Sequence, residues 1–410
     1  MEVYLVGGAV RDRLLGYPVR ERDYVVLGAT PEQMQQSGYV QVGRDFPIFL
    51  HPETREEYAL ARVERSTSQA HQPLLYDGLN ITLKDDLSRR DLTINAMAED
   101  TAGQVIDYFG GQQDLEQRVF RHVSPAFAED PIRILRVARF MARYGDLGFT
   151  IATETLQLMR TMVAHDALSN VAAERIWKEL DRALTEKSPH LFFDTLRSCG
   201  ALAKLMPELD CLWGVPQPSR WHPEIDTGVH TMLVVRMARR LSSSSAVIFA
   251  ALTHDLGKGE TPKAILPSHH GHEERGVRIL KAVCQRLGPP KYHCELSRLV
   301  ARYHGKVHRA SELRPRTVLC VLEDTDAFRR PQRLQDMLIA CEADYRGRTG
   351  FAESRYPQRH LFLTWLQAAK GIDVEAVVAK CARPSLIETA ITRARLHAIK
   401  SCRSKAVLTL

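Results

Sequence analysis

Two groups of side chains in this 410-residue sequence are of types that do chemistry. The first is a carboxylate pair, Glu21 and Asp23, in Glu21-Arg22-Asp23-Tyr24-Val25-Val26 at the head of an apolar run. On a strand, a side-chain period of two puts both on one face, where like charges repel unless a cation lies between them. Mg2+ suits such a pair because it prefers hard oxygen donors and keeps positions for water and phosphates, and a solvated strand start is the alternative. Upstream, Leu5-Val6-Gly7-Gly8-Ala9-Val10-Arg11-Asp12 joins a strand-like run to a helical one through two glycines. Such a turn lets backbone approach a phosphate at a helix N-terminus, and it is equally an ordinary tight turn. The second group is histidine, nine of the sixteen falling within residues 222–308. There His254-Asp255 follows the apolar run Ala246–Leu252 and precedes Gly257-Lys258, with His230 upstream. Imidazole with carboxylate suits Mg2+, Mn2+, Ni2+ or iron, and eight cysteines without a CxxC pair argue against a closed zinc site or a disulfide framework.

The elements that must carry these groups differ along the chain. Residues 1–110 alternate short β-like runs (Val3–Val6, Tyr24–Leu27, Ile48–His51, Tyr58–Val63) with turn-rich connections, and a helical pattern starts near Ala9. That pattern predicts a mixed sheet with helices packed on it. From Pro131 onward Ile132, Leu135, Val137, Ala138, Phe140 and Met141 recur at helical spacing, and the rest of the chain is expected to be all-α. The fold class is therefore α+β. Trp213–His222, with two prolines, marks one boundary, and Asp326–Gln332 a softer one. Residues 1–150 carry 17 Lys+Arg against 22 Asp+Glu, whereas residues 151–410 carry 39 against 27. A basic surplus confined to one part of a chain points to a polyanionic partner. The N-terminus reads as a strand and not a signal peptide, and no apolar window is long enough to span a bilayer, so a reduced, cytoplasmic protein with no membrane association is expected.

The Gly pair followed by Glu21 and Asp23 resembles the nucleotidyltransferase superfamily that includes DNA polymerase β, and more closely the class II tRNA nucleotidyltransferases, the CCA-adding enzymes. The resemblance implies a polymerase-β-like head, with Gly8 and Arg11 at the nucleotide and Glu21 and Asp23 on Mg2+. The family's first carboxylate is normally Asp, so Glu21 is a departure that moves the carboxylate by roughly 1.5 Å, one C–C bond. Glu57-Tyr58-Ala59-Leu60-Ala61-Arg62 is similar to the strand that supplies a third carboxylate, which makes Glu57 a base for the attacking hydroxyl or an ordinary strand-end acid. Arg89-Arg90-Asp91-Leu92-Thr93-Ile94-Asn95-Ala96 resembles the RRDxxxN motif, in which paired arginines before a helix, Arg90 among them, hold a triphosphate. In Glu129-Asp130-Pro131-Ile132-Arg133, continued by Arg136 and Arg139 at three-residue spacing, the arginines make one cationic stripe. The resemblance gives Asp130 and Arg133 the base's Watson–Crick edge, and Arg136 and Arg139 phosphate or ribose. Glu174-Arg175-Ile176-Trp177-Lys178-Glu179 is similar to a supporting motif of the neck. A Gly/Tyr/Phe-rich loop that the family carries between Arg65 and Asp85 is replaced by Ser66-Thr67-Ser68-Gln69-Ala70-His71-Gln72-Pro73-Leu74-Leu75-Tyr76.

The order His230, His254-Asp255, Asp344 is similar to that of HD-domain metal-dependent phosphohydrolases, in which these four positions ligate one metal. His269, His270, His272 and His304 are candidates for a second site or for leaving-group protonation, and Lys258 for a phosphate. The resemblance extends through WHPEIDTGVHT, THDLGKG and EADYRGRTGF to the bacterial CCA-adding enzymes that carry a C-terminal HD domain. It implies a nucleotidyltransferase head over 1–140, a helical neck over 141–220, a helical HD domain over 221–330 with its last ligand beyond, and a helical tail over 331–410. The implied activity is template-independent CCA addition and repair on tRNA from CTP and ATP. An HD phosphohydrolase acting on 2′,3′-cyclic phosphates, 2′-nucleotides and phosphate esters with a transition metal such as Ni2+ accompanies it, in a monomer or homodimer. Two other readings stay open: a partial or decayed transferase in which the HD activity dominates, and a non-catalytic tRNA-binding protein.

Overall fold

The structure is a computed structural model that describes residues 1–19, 21–42, 48–61 and 81–406. The Ser66–Tyr76 segment lies outside the described residues. The chain forms two compact units, one of residues 1–137 and 144–170, the other of residues 138–143 and 171–410. The four-part division expected from the sequence is finer than these units.

In the first unit β1 (Glu2–Val6), α1 (Gly8–Leu14), β2 (Asp23–Leu27), α2 (Pro31–Gln36), β3 (Val40–Val42), β4 (Ile48–Leu50), β5 (Glu57–Leu60), α3 (Leu83–Ser88), β6 (Met97–Glu99) and β7 (Val105–Asp107) follow in order. The strands make one mixed sheet in the order β3-β4-β5-β2-β1-β6-β7, with β2 and β5 parallel and the other pairs antiparallel. Alternation sorts β2 between two cores: Val25 and Leu27 pack with Val6, Ala61, Leu83 and Leu87 on one side, and Val26 packs with Met34, Phe49, Tyr58 and Leu60 on the other. α3 starts at a reciprocal cap in which Thr82 and Asp85 bond each other's backbone N–H. Further on come α4 (Gly111–Gln117), β8 (Val119–Phe120), α5 (Ile132–Tyr144), β9 (Thr150–Ile151) and α6 (Thr153–Ala164). The parallel β8–β9 pair corrects the expectation of an all-α chain after residue 131: Thr150 N donates to Arg118 O and Ala152 N to Phe120 O, and Phe149 stacks on Phe120 at 4.8 Å.

The second unit is helical: α7 (Ala173–Leu184), α8 (His190–Ser198), α9 (Ala201–Leu205), α10 (Pro207–Asp210), α11 (Thr227–Leu241), α12 (Ser245–Leu252), α13 (His272–Leu287), α14 (Lys291–His308), α15 (Pro315–Asp324), α16 (Pro331–Gly347), α17 (Pro357–Lys370), α18 (Val374–Ala379) and α19 (Ile387–Ala406). The proline-containing stretch between α10 and α11 is non-helical, as its sequence predicts. α12 is apolar all round, and Val247, Ile248, Phe249 and Leu252 are fully buried, each worth about 1.5–3 kcal/mol in apolar transfer. It lies against α7, α11, α14 and α16, so the HD pair at its C-terminal end is delivered into the middle of a helical core. No helix among the described residues is long and apolar enough to cross a membrane.

Candidate active sites

In the first unit the parallel register sets Asp23 directly beside Glu57, on the sheet face that also carries Val25 and Leu27. Glu21 does not share the strand, contrary to expectation. β1 pairs with β2 only as far as Val6 opposite Asp23, and Gly7 then turns the chain into α1, which leaves the residues before Asp23 without a ladder partner. Burial raises the Asp23 carboxyl above its ordinary range and Glu21 adds to this, while Arg90 opposes it. Gly7, at φ +72°, occupies a conformation that glycine alone adopts cheaply, and a Cβ there would stand 2.8 Å from Nη1 of Arg90. The turn is thus built against this arginine, whose Nε is buried without a hydrogen-bond partner and whose Nη2 lies 3.2 Å from Asp86. The resemblance points to Gly8 at the nucleotide, and Gly7 is the glycine of the pair that takes the positive φ.

A buried network braces this turn. Tyr144 donates to Asp12 Oδ1 at 2.6 Å, and Arg11 pairs with Asp12 at 2.8 Å and donates to Asn95 Oδ1 at 2.5 Å. Asn95 Nδ2 then donates to Asp91 Oδ1 at 2.9 Å, and Arg136 donates to Asp91 Oδ2 at 2.7 Å. Burial alone would raise the Asp91 carboxyl, yet Arg136, Asn95 and the Leu92 N–H hold it well below the carboxylate range. Arg89 and Arg90 follow α3, and the motif continues as a single 3-10 turn at Thr93–Asn95, which corrects the predicted helix without breaking the Asp91 to Asn95 contact. Arg133, Arg136 and Arg139 do not form one open cationic stripe, because each has a separate partner. Arg133 donates to the carbonyls of Ala126 at 2.7 Å and Arg89 at 2.6 Å, Arg136 binds Asp91, and the buried Arg139 pairs with Glu179 at 2.6 Å within the second unit. Asp130 Oδ1 accepts from Ile132 N and caps α5.

In the second unit α11 contributes His230, the end of α12 His254 and Asp255, and α16 Asp344. His230 Nε2 lies 3.1 Å and His254 Nε2 3.7 Å from Asp344 Oδ1, and His254 Nε2 lies 3.0 Å from Asp255 Oδ2. A second trio joins on: His272 and His304 Nε2 stand 3.4 and 3.5 Å from Asp255 Oδ1 and 3.1 Å from each other. Each of His254, His272 and His304 places Nδ1 within 3.0 Å of a carbonyl, of Ala251, His269 and Val300 respectively. A carbonyl only accepts, so Nδ1 carries the proton and Nε2 is left for a proton or a metal. His254 Nε2 and Asp255 Oδ1 are buried with no hydrogen-bond partner. Converging imidazole and carboxylate donors with unsatisfied atoms fit a divalent metal. Three donor groups, His230 with His254 and Asp344, Asp255 with His272 and His304, and His222 with Glu224 and His230, each have their ligand atoms within 4.8 Å of one another. No three donors of the first unit are so gathered among the described residues.

Around this cluster stand Glu224, His222 and His308, which carry no expectation from the sequence, and Lys258, His269 and His270, which do. Glu224 Oε1 lies 2.8 Å from His230 Nδ1 and 3.3 Å from His222 Nδ1, and its Oε2 accepts from Thr349 N. Burial would raise the Glu224 carboxyl, and these three donors bring it far below its usual range. His308 lies 2.6 Å from Asp344 Oδ2 and accepts from the Tyr356 hydroxyl. Lys258 pairs with Asp255 at 2.6 Å and donates to the buried Gln217 at 2.5 Å. Burial raises Asp255 and Asp344, but His254 with Lys258, and His254 with His308, outweigh it and keep both ionised. Burial also pushes His272 down to about 4, whereas Asp255 overcomes burial at His304 and raises it. His269 spends both ring nitrogens, on Thr261 and the Pro216 carbonyl, and lies outside all three donor groups, as His270 does.

Three family patterns match this chain: the Poly A polymerase head domain over residues 3–121, the probable RNA and SrmB-binding site of polymerase A over 148–212, and the HD domain over 227–346. It is 56% identical over 406 residues to a multifunctional CCA protein of Thioalkalivibrio sulfidiphilus, covering 99% of each chain. Its identity to the multifunctional CCA protein of Nitrosococcus oceani is 54% over 401 residues, covering 98% of each. Among solved structures, an apo CCA-adding enzyme is similar with a TM-score of 0.68 at 20% identity, covering all of this chain and 91% of that one. The Thermotoga maritima CCA-adding enzyme complexed with tRNA gives 0.63 at 18%, with the same coverage.

Proposed function

This chain belongs to the family of multifunctional CCA proteins, and on that premise we propose that its first unit adds and repairs the 3′-terminal CCA of tRNA from CTP and ATP while its second unit hydrolyses phosphoesters. The observation that carries the transferase reading is Asp23 beside Glu57, next to a Gly7–Gly8 turn pressed against Arg90. Held by Glu21 and Asp23, Mg2+ would lower the pKa of the RNA 3′-hydroxyl and neutralise charge on the departing pyrophosphate during in-line attack on the α-phosphate. Glu57 takes the hydroxyl proton, and Gly8, Arg11 and Arg90 position the triphosphate, Arg11 by bracing the turn from its buried network. Asp130 and Arg133 read the base's Watson–Crick edge by exchanging their present backbone partners for it, and Arg136 faces the phosphates from Asp91. Arg139, buried on Glu179, is assigned to holding α5 and not to the nucleotide.

In the second unit His230, His254, Asp255 and Asp344 hold a divalent transition metal such as Ni2+, and His272 with His304 offers Asp255 a second position. That metal would activate water and polarise the phosphoryl group. Glu224 and His308 orient His230 and Asp344 from behind. The substrates fitting this reading are 2′,3′-cyclic phosphates, 2′-nucleotides and simple phosphate esters.

Incubating the protein with tRNA transcripts ending before CCA, after C and after CC, with CTP, ATP and Mg2+, and sequencing the products tests the transferase. No extension of any transcript rejects it. Turnover of bis-p-nitrophenyl phosphate with Ni2+ tests the second site, and equal rates for wild type, His254→Ala and Asp255→Ala reject it. One observation favours a weakened transferase as a second reading: Glu21 is both longer than Asp and off the strand. Glu21→Asp is expected to preserve or raise transfer, and a tenfold fall, about 1.4 kcal/mol, would show a site adapted to Glu. Tight tRNA binding with neither extension nor turnover would leave the non-catalytic reading.

A further inference from the structure

The segment Asp344-Tyr345-Arg346-Gly347-Arg348 ends α16, and Arg348 is its C-cap, four residues beyond the carboxylate that faces His230 and His308. Gly347 fixes the place of this cap. A Cβ there would lie 2.8 Å from Val234 Cα on α11, so the end of α16 is pressed onto the helix that carries His230. The surrounding arginines are satisfied: Arg346 by Glu342 at 3.0 Å and the Ala352 carbonyl, Arg359 by Glu342 at 3.3 Å, Arg275 by the carbonyls of Gly257 and His270. Arg348 differs. Its Nε is buried with no hydrogen-bond partner, and no ion pair reaches its guanidinium among the described residues. It is held over the Tyr345 ring at 5.2 Å, and the groups it faces electrostatically are His222, His308 and Tyr356. None of these three is a carboxylate, so none offers it a counter-charge.

A half-buried cation without a partner is costly, and the cost disappears when an anion arrives. Lys258 is not equivalent, because Asp255 and Gln217 already occupy it. A planar guanidinium, stiffened by stacking on an aromatic ring, matches two phosphate oxygens.

We propose that Arg348 is a substrate-binding residue of the second unit, its guanidinium gripping non-bridging oxygens of a phosphate seated at the His230, His254, Asp255 and Asp344 cluster. The turnover arm of the test rests on the phosphohydrolase reading, and the binding arm does not. Inorganic phosphate is titrated calorimetrically into Ni2+-loaded full-length wild type, Arg348→Ala and Arg348→Lys, Ni2+ affinity is measured for each, and KM and kcat are read with bis-p-nitrophenyl phosphate. Loss of a charged hydrogen-bonding pair predicts phosphate affinity weaker by about tenfold or more in Arg348→Ala and partly recovered in Arg348→Lys. Ni2+ affinity should stay within about twofold, and KM should move more than kcat. Equal phosphate affinity in wild type and Arg348→Ala, no phosphate binding by wild type, or a parallel fall in Ni2+ affinity would each overturn the assignment. Arg348-dependent phosphate binding without any turnover by wild type keeps the assignment and removes the phosphohydrolase reading instead.

Discussion

Gly257→Ala probes how the HD pair is held in place. Gly257 lies in the 3-10 turn Leu256–Lys258 directly after Asp255, against the first turn of α13. A Cβ at this position would stand 2.5 Å from Gly276 N and 2.9 Å from the carbonyl carbon of His272, with the carbonyl oxygen nearer still. All three are backbone atoms, so no side chain can rotate away; reaching an ordinary contact of 3.4 Å takes about 0.9 Å of backbone displacement for Gly276 N alone and more for the His272 carbonyl oxygen. That displacement moves α13 at His272, whose Nε2 now stands 3.4 Å from Asp255 and 3.1 Å from His304. Metal-ligand distances tolerate only about 0.2 Å, so the trio of Asp255, His272 and His304 should fail as a donor set. Overpacking of this kind costs about 1–3 kcal/mol, which in a unit of this size lowers Tm by roughly 2–12 °C. Ni2+ affinity, read by competition with a chromophoric chelator, should fall about 10–100-fold. Gly305→Ala is the control: it lies in α14 between His304 and His308 and would meet only the tip of Glu273 at 3.0 Å, so alanine should gain about 0.5–1 kcal/mol of helix stability. A Gly257→Ala protein with unchanged Tm and unchanged Ni2+ affinity would refute the reasoning.

Arg139 and Glu179 pair at 2.6 Å with side chains only 9% and 8% exposed, so Arg139→Met alone should cost about 3–5 kcal/mol in urea unfolding. Arg139→Met with Glu179→Leu should recover most of that, and equal losses in the single and double variants would show that the charge pair is not the cause. Asp91 has a folded-state pKa held below its unfolded value near 3.9, so its contribution is complete above about pH 4 and is lost as pH falls below that towards the folded value. The stability gap between wild type and Asp91→Asn should therefore narrow below about pH 4, and a constant gap from pH 7 to pH 3 would be the wrong result.

The sheet of the first unit was legible where a strand is a continuous apolar run. The expected runs at Val3–Val6, Tyr24–Leu27, Ile48–His51 and Tyr58–Val63 fall on β1, β2, β4 and β5, whereas β3 (VQV), β6 (MAE) and β7 (VID) are short and broken by polar or acidic residues. Boundaries set by tertiary pairing were not legible. Glu21 leaves the strand because Gly7 ends its would-be partner, a fact of β1 and not of residues 21–26. The arginine stripe failed for a similar reason: three-residue spacing puts Arg133, Arg136 and Arg139 on one face, but spacing says nothing about the Ala126 carbonyl, Asp91 and Glu179, which come from other segments. Asp344, at a sequence distance that gave no local signal, reaches the cluster because α16 packs against α11, α12 and α14.

The histidine cluster shows what decides among residues of one type. Nine histidines fall in residues 222–308, yet three of the four in the donor groups of Asp255 and Asp344 are oriented by a backbone carbonyl on Nδ1, and the fourth, His230, by Glu224. His254, His272 and His304 each bond a carbonyl three or four residues earlier, a reach that helical geometry supplies at the end of α12 and within α14 and that the turn leading into α13 supplies at His272. The same bond fixes the ring's rotation and its tautomer, so three Nε2 atoms arrive at Asp255 already oriented. His269 has no such bias: with one nitrogen on Thr261 and the other on the Pro216 carbonyl, it pins a loop. A histidine near a helix end with a carbonyl one turn behind it is therefore a better donor candidate than one in a loop, and that distinction, unlike the density of histidines, follows from the position of each residue relative to its own helix.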